Sequence, residues 1–153
     1  MDELWRRVEA RDTWHNESQK EIYKSHVDAA RRFYRNVVLQ HPDDPVFSTP
    51  APERFTVRMR TTKGDILIGL QRAWAPRGVD RFYNLARSGY YDDSRFFRIR
   101  DKDFAQFGIH GESAVAQAWR NERIADDPVV QSNRRGTVAF AMGTEPNDRT
   151  TQV

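Results

Sequence analysis

An arginine and a glutamine eight residues apart are the side chains of this 153-residue sequence best suited to chemistry. Arg98 directly follows Phe96 and Phe97, and Gln106 lies further along the same stretch. Because side chains alternate along a strand, Phe97 and Ile99 share one face and Phe96 and Arg98 the other, and if the first face is core then Arg98 projects outward. A guanidinium is a permanent cation with five N–H donors, so it can hydrogen-bond and polarise a substrate. The plainer alternative is a solvated surface arginine.

Thiol, nucleophile and metal chemistry lack comparable support. The chain has no cysteine, which excludes disulfides, thiolate metal sites and cysteine nucleophiles. Its four histidines are scattered without the spacing of metal ligands. Ser113 and Ser132 lack the context of a nucleophilic serine. The acidic pairs Asp92-Asp93 and Asp126-Asp127 fit loop caps or turns. We therefore expect no metal and no other cofactor.

Charge and hydropathy bear on the class of partner. The net charge is only +3, a weak and mixed excess that argues against a nucleic-acid groove. An RNA- or ribosome-associated role for the arginines is kept as an alternative hypothesis. No apolar run approaches the roughly 20 residues of a membrane helix, and the charged start of the chain is unlike a secretory signal. We expect no membrane association and a cytoplasmic location.

The first third of the chain predicts a helical arm and a linker. Residues 1–40 read as a helical N-terminal extension, with a capping box at Ser18–Glu21 and a weaker helix over Asp2–Arg11. Its apolar positions form two adjacent helical columns. They are Ile22, His26, Ala29, Phe33 and Val37 in one, and Tyr23, Val27, Ala30, Tyr34 and Val38 in the other. This stripe either packs on the chain's own domain or docks a partner through residues 18–40. The proline-rich residues 41–53 predict a linker before a domain over 54–153.

From residue 54 the hydrophobic period changes to two. Alternation around the turn Thr61–Asp65 predicts a hairpin with one buried face. Helical spacing returns over Pro76–Ser88, with Val79, Phe82, Tyr83 and Ala86 on one side, and Gly89 suits a left-handed cap. Further elements are predicted as strands at Arg95–Ile99, Phe104–Ile109 and Gly136–Met142 and a helical turn at Ala114–Trp119. This order favours α+β, or a barrel with a helix plugging one end.

Short motifs in a fixed order give residues 53–153 a family resemblance. They are Thr61-Thr62-Lys63-Gly64-Asp65, Ala75-Pro76, Arg81-Phe82-Tyr83-Asn84-Leu85, Gly89-Tyr90-Tyr91-Asp92, Phe96-Phe97-Arg98, Gln106-Phe107-Gly108, Gln131-Ser132-Asn133, Arg135-Gly136-Thr137-Val138, Pro146-Asn147 and Thr150-Thr151-Gln152. Together they resemble a cyclophilin-type peptidyl-prolyl cis-trans isomerase, most nearly a bacterial-style member. The resemblance implies a mainly β fold with helices, an eight-stranded barrel that binds Xaa-Pro peptides in an outer groove.

The resemblance also implies a chemistry that needs no cofactor. Rotation about a peptide bond faces a barrier of ~18–20 kcal/mol, and an enzyme lowers it by favouring the twisted amide. Arg98 matches the family arginine that donates a hydrogen bond to the proline nitrogen in that state. Gln106 and Gln152 match glutamines that hold the substrate backbone. Ala141 matches a residue of the groove wall, and Phe104 stands where a methionine lines the site.

Three departures from the family pattern modify this expectation. Asp103 stands where an aromatic ring normally lines the proline pocket, and an ionised carboxylate there is unfavourable unless it stays wet or paired. The segment Met142–Glu145 is one residue longer than the common pattern. The sequence ends at Val153, before the family's remaining strands, so we expect an incomplete barrel with weak or no activity. The alternative hypothesis is a catalytically inactive module that binds proline-containing segments of partner proteins.

Overall fold

A computed structural model describes residues 17–153 of the chain. The helix predicted over Asp2–Arg11 lies outside the described residues. By its contacts the chain separates into two compact units, with the division between Tyr34 and Arg35. The elements in chain order are α1 (Glu17–Leu39), a 3-10 turn (Pro45–Ser48), β1 (Arg54–Thr61), β2 (Gly64–Gln71), a second 3-10 turn (Arg72–Trp74), α2 (Pro76–Arg87), β3 (Arg98–Arg100), β4 (Phe104–Gln106) and α3 (Ser113–Trp119).

Helix α1 confirms the helix predicted within residues 18–40 but not its cap. Ser18 lies inside the helix, so it is not the capping residue that the sequence pattern predicts. Much of the apolar stripe is exposed. The exposed members are Ile22, Phe33, Tyr34, Val37 and Val38. A docking role for this stripe stays a prediction. Among the described helices, none combines the length and hydropathy that crossing a bilayer requires.

The predicted hairpin is confirmed as the antiparallel pair β1–β2, which runs in register from Arg54 opposite Gln71 to Thr61 opposite Gly64. Burial alternates along β1, as expected for a strand with one face toward a core. Gly64 adopts a φ of 121°, a conformation that L side chains rarely adopt, at the end of the turn.

Helix α2 is confirmed at Pro76–Arg87, and Gly89 has the predicted left-handed conformation with a φ of 72°. Its side chains contribute to two buried clusters: Leu85 belongs to the first and Phe82 to the second. The first cluster contains Leu39, Leu85, Tyr90, Val115 and Trp119. The second contains Ile68, Phe82, Phe107 and Val153, with Val57, Met59, Leu70, Tyr91 and Phe140 packed against it.

Residues 41–53 make specific contacts with helix α2. The Ala51 N–H donates to the Asp80 carboxylate at 2.9 Å, and the Asn84 side chain donates to the Thr49 carbonyl at 2.8 Å. The Arg72 guanidinium forms two hydrogen bonds with the same carboxylate, which lowers the pKa of Asp80. Because Thr49 and Ala51 are both bonded to α2, the second half of this segment is a packed connection. The domain bounds at residues 40 and 53 remain predictions.

Several predicted elements differ from the structure. The described fold is mixed helix and sheet with short antiparallel strands, as a partial domain of the expected kind would have, and the mainly β eight-stranded barrel stays a prediction. Its four strands form two separate antiparallel pairs and no closed barrel within residues 17–153. The predicted strand at Gly136–Met142 is absent. Alternation of apolar residues predicts an extended segment, but a strand also needs a neighbouring strand to which its backbone can hydrogen-bond. The predicted helical turn is confirmed as α3.

Candidate functional site

The short pair β3–β4 brings the predicted arginine and glutamine opposite each other. Arg98 is the register partner of Gln106, and Arg100 is the partner of Phe104. Directly opposed residues of an antiparallel pair share a face, so these four side chains lie on one side of the pair. The other side carries Ile99, which is 72% exposed. Phe97 and Ile99 therefore do not form a core face, since both are exposed, and Arg98 is exposed on the opposite face.

Arg98 is exposed, and its guanidinium lies over an aromatic ring. The Arg98 Cζ atom is 5.1 Å from the centroid of the Phe104 ring. A cation above an aromatic face is attracted by the ring quadrupole, which orients the guanidinium without consuming its N–H donors. Within residues 17–153, no carboxylate forms an ion pair with Arg98. The side chain is therefore an exposed charged donor whose one described contact is the Phe104 ring.

The two predicted glutamines contact each other. Gln106 Nε2 donates to Gln152 Oε1 at 3.0 Å. The carbonyl of Gln152 accepts a hydrogen bond from the Ala141 N–H at 2.9 Å. The structure thus connects all five predicted site residues, Arg98, Phe104, Gln106, Ala141 and Gln152, through one ring contact, one pair of opposed residues and two hydrogen bonds.

A second layer of residues holds Gln152 beside Gln106. Phe107 and Val153 exchange both backbone hydrogen bonds, at 2.9 and 3.0 Å. The buried Thr151 hydroxyl donates to the Gly108 carbonyl at 2.8 Å. A Cβ at Gly108 would lie 2.5 Å from the Thr151 carbonyl oxygen, so only glycine permits this approach. The Tyr91 hydroxyl donates to the same carbonyl at 3.0 Å.

Sequence reasoning did not assign a site role to this supporting layer. Thr151, Gly108 and Tyr91 all lie within the family motifs, which is the signal that could have identified them. Desolvation raises the pKa of Tyr91 well above its ordinary value, so its hydroxyl stays protonated and able to donate. The layer is neutral and hydrogen-bonded, as a rigid support requires.

Asp103 lies in the turn between β3 and β4, away from an apolar environment. Its carboxylate is 3.4 Å from Arg100 Nη1, and the two side chains are 57% and 71% exposed. Lys102 takes a left-handed φ of 58° at the tip of this turn. The carboxylate is therefore both wet and paired, the condition under which its position costs little.

The acidic pair Asp126-Asp127 makes structural contacts. Asp127 accepts from the backbone N–H groups of Arg77 and Gly78, both at 2.9 Å, and so caps helix α2. Asp126 accepts from the Asn147 backbone N–H at 2.9 Å, and Asn147 takes a turn conformation with a φ of 60°. These contacts confirm the interpretation of Asp126-Asp127 as a cap and turn. No group of three or more possible metal ligands occurs within the described residues.

The comparison with protein families identifies the class. Residues 56–152 match the model of the family "Cyclophilin type peptidyl-prolyl cis-trans isomerase/CLD". This match covers more than half of the chain and includes every residue of the candidate site. The chain therefore belongs to the cyclophilin-type peptidyl-prolyl cis-trans isomerase family.

Curated relatives come from animals, amoebae and bacteria. The chain is 32% identical over 123 residues to "Spliceosome-associated protein CWC27 homolog" of Xenopus laevis, covering 76% of this chain and 23% of the frog protein. It is 45% identical over 73 residues to "Peptidyl-prolyl cis-trans isomerase cypE" of Dictyostelium discoideum, covering 44% and 47%. It is 30% identical over 103 residues to "Peptidyl-prolyl cis-trans isomerase cyp18" of Streptomyces antibioticus, covering 63% and 58%.

The matches span between about a quarter and three fifths of the relatives' own length. No solved structure matches the chain significantly. The assignment to the family therefore rests on sequence similarity.

Proposed function

We propose that this chain binds Xaa-Pro segments on the face of β3–β4 that carries Arg98, and that it catalyses their cis-trans isomerisation in the cytoplasm. The observation that supports this most is the state of Arg98. Its guanidinium lies 5.1 Å from the Phe104 ring centroid and has no carboxylate partner among the described residues. It can therefore donate to a proline nitrogen whose lone pair is released as the amide twists.

The two glutamines support the binding part of the proposal. Their mutual hydrogen bond uses one donor of Gln106 and the oxygen of Gln152. Gln106 Oε1 and the side-chain N–H groups of Gln152 are available to a ligand, since no other described residue bonds them. One free acceptor beside one free donor is complementary to the N–H and C=O groups of an extended peptide.

Nuclear magnetic resonance exchange spectroscopy on an Ala-Pro peptide tests the proposal directly. We expect the protein to accelerate exchange weakly and Arg98→Ala to abolish that acceleration, because the donor to the proline nitrogen is lost. Arg98→Lys should recover little, because a point cation lacks the planar fork. Arg95→Ala is the matched control from the same segment and should keep the rate. Full activity in Arg98→Ala would contradict the assigned role.

A second candidate function is peptide binding without rate enhancement. One observation favours it: every residue of β3 is exposed, so few contacts fix the arginine. Transition-state stabilisation needs donors that are held in place beforehand, whereas binding tolerates adjustment. Titration that shows saturable binding of a Pro peptide with no added exchange would establish this alternative. The protein would then be a recognition module for proline-containing segments of partners.

A further inference from the structure

A second arginine shares the face of the proposed site. Arg100 lies two residues beyond Arg98 on β3, and alternation puts both side chains on the same side of the pair. Phe104, the register partner of Arg100, carries the Arg98 guanidinium above its ring. Two cations therefore belong to the face that carries the Phe104 ring.

The charge on this face is not fully neutralised. Arg98 has no acidic partner among residues 17–153. Arg100 has one, Asp103, at 3.4 Å, but both side chains of this pair are mostly exposed. An exposed ion pair is weak and exchanges readily, so a carboxylate from a bound peptide can compete for Arg100.

The spacing of the two arginines relates this charge to a peptide. An extended peptide advances about 3.3 Å per residue, the same step as β3 itself. With its proline at Arg98, a side chain two residues away along the peptide reaches the level of Arg100. An acidic group at that distance meets a cation, whereas a basic group is repelled by two.

We propose that the site selects Xaa-Pro segments with an acidic side chain within two residues of the proline, and that Arg100 is the residue that determines this preference. The inference rests on the proposed function, because it assumes that the peptide lies on this face with its proline at Arg98. It adds a substrate class, acidic proline-containing segments, to the proposed reaction.

A set of alanine-rich peptides with one Ala-Pro bond tests the preference. Glu, Gln or Lys replaces alanine, one position at a time, just before the Ala-Pro pair or at either of the two positions after it. Both kcat/KM and Kd are measured by nuclear magnetic resonance. At one position or more, Glu should exceed Lys by about fivefold at low salt, with Gln between them. Added salt should reduce the ratio, because the charges are exposed.

Variants identify the residue responsible. Arg100→Gln should bring the Glu-to-Lys ratio close to one. Asp103→Asn should raise the ratio, since it removes the competing carboxylate. The matched control is Arg58→Gln on β1, an exposed arginine that also pairs with an acid, Asp65, at 3.8 Å. It should leave the ratio unchanged.

The outcomes separate the two proposals. Equal handling of Glu and Lys peptides, or a ratio that survives Arg100→Gln, overturns the acidic preference while leaving isomerisation intact. Binding without acceleration removes the catalytic part of the proposed function, and the preference is then decided by the Kd values alone. No binding of any peptide overturns both.

Discussion

Helix α2 and the β3–β4 pair are held by different means. The inner face of α2 enters two buried clusters, and the Asp127 carboxylate from a distant loop accepts two hydrogen bonds from its first turn. The β3–β4 pair has three residues in each strand, and only Gln106 of the six is shielded from solvent to a substantial degree. The candidate site thus lies on a lightly held element, supported from one side by the layer around Thr151. Peptide binding is compatible with this arrangement, whereas strong catalysis requires that the layer around Thr151 keeps the site residues in position.

The largest expected effect tests the buried side of this comparison. Trp119 is fully buried, and its Nε1 donates to the Leu39 carbonyl at 2.7 Å. Trp119→Ala should lower the free energy of unfolding by about 3–5 kcal/mol, because it leaves a cavity and an unpaired carbonyl. Urea unfolding followed by circular dichroism measures the change. Ile99→Ala on β3 should cost less than about 0.5 kcal/mol, and an equal loss there would show that the pair is also supported by packing.

The next effect concerns the cap of helix α2. The Asp127 carboxylate is 4% exposed and pairs with Arg149, which is 11% exposed, at 3.1 Å. Asp127→Ala should cost about 2 kcal/mol, since it removes a cap and one of the two carboxylates that pair with the buried Arg149, the other being Asp126. The same urea experiment serves here, with Asp103→Ala as control at about 0–1 kcal/mol. A cost below 1 kcal/mol for Asp127→Ala would mean that water replaces the cap.

Hydrogen exchange compares the two regions without substitutions. The amides of α2 beyond its first turn should exchange only through openings that approach global unfolding. The amides of β3 and β4 should open with a free energy lower by at least about 2 kcal/mol, because few buried contacts hold them. Equal protection of both regions would show that the β3–β4 pair is held as firmly as α2. Protection of β4 that rises on adding a Pro peptide would connect local order to the site.

The smallest expected effect is on the pH dependence of stability. Desolvation lowers the pKa of the buried His110 from its ordinary 6.5. The folded state therefore prefers neutral His110, so its contribution is complete above about pH 6.5 and is lost as the pH falls through the folded pKa. Unfolding measured between pH 7 and 5 should show this loss, and His110→Gln should flatten the slope. An unchanged slope in the variant would assign the loss to other groups.

Sequence predicted the elements whose signals are local. The hairpin, α2, α3 and Gly89 follow from periodicity and cap residues, which act over a few positions. The strand predicted at Gly136–Met142 failed because alternation cannot specify a partner. The five site residues were predicted from family motifs and lie together. The Asp127–Arg149 pair was not predicted, because contacts between distant loops leave no periodic signal.

The cap on helix α2 has a consequence for synthesis of the chain. Asp127 lies 50 residues after Arg77, whose N–H it accepts. At about 5–20 residues per second, a ribosome takes several seconds to make the intervening segment. During that interval the first turn of α2 has only water to accept its N–H donors. We therefore expect the nascent helix to fray at Pro76–Gly78 and to become fully ordered only when the loop bearing Asp127 has emerged.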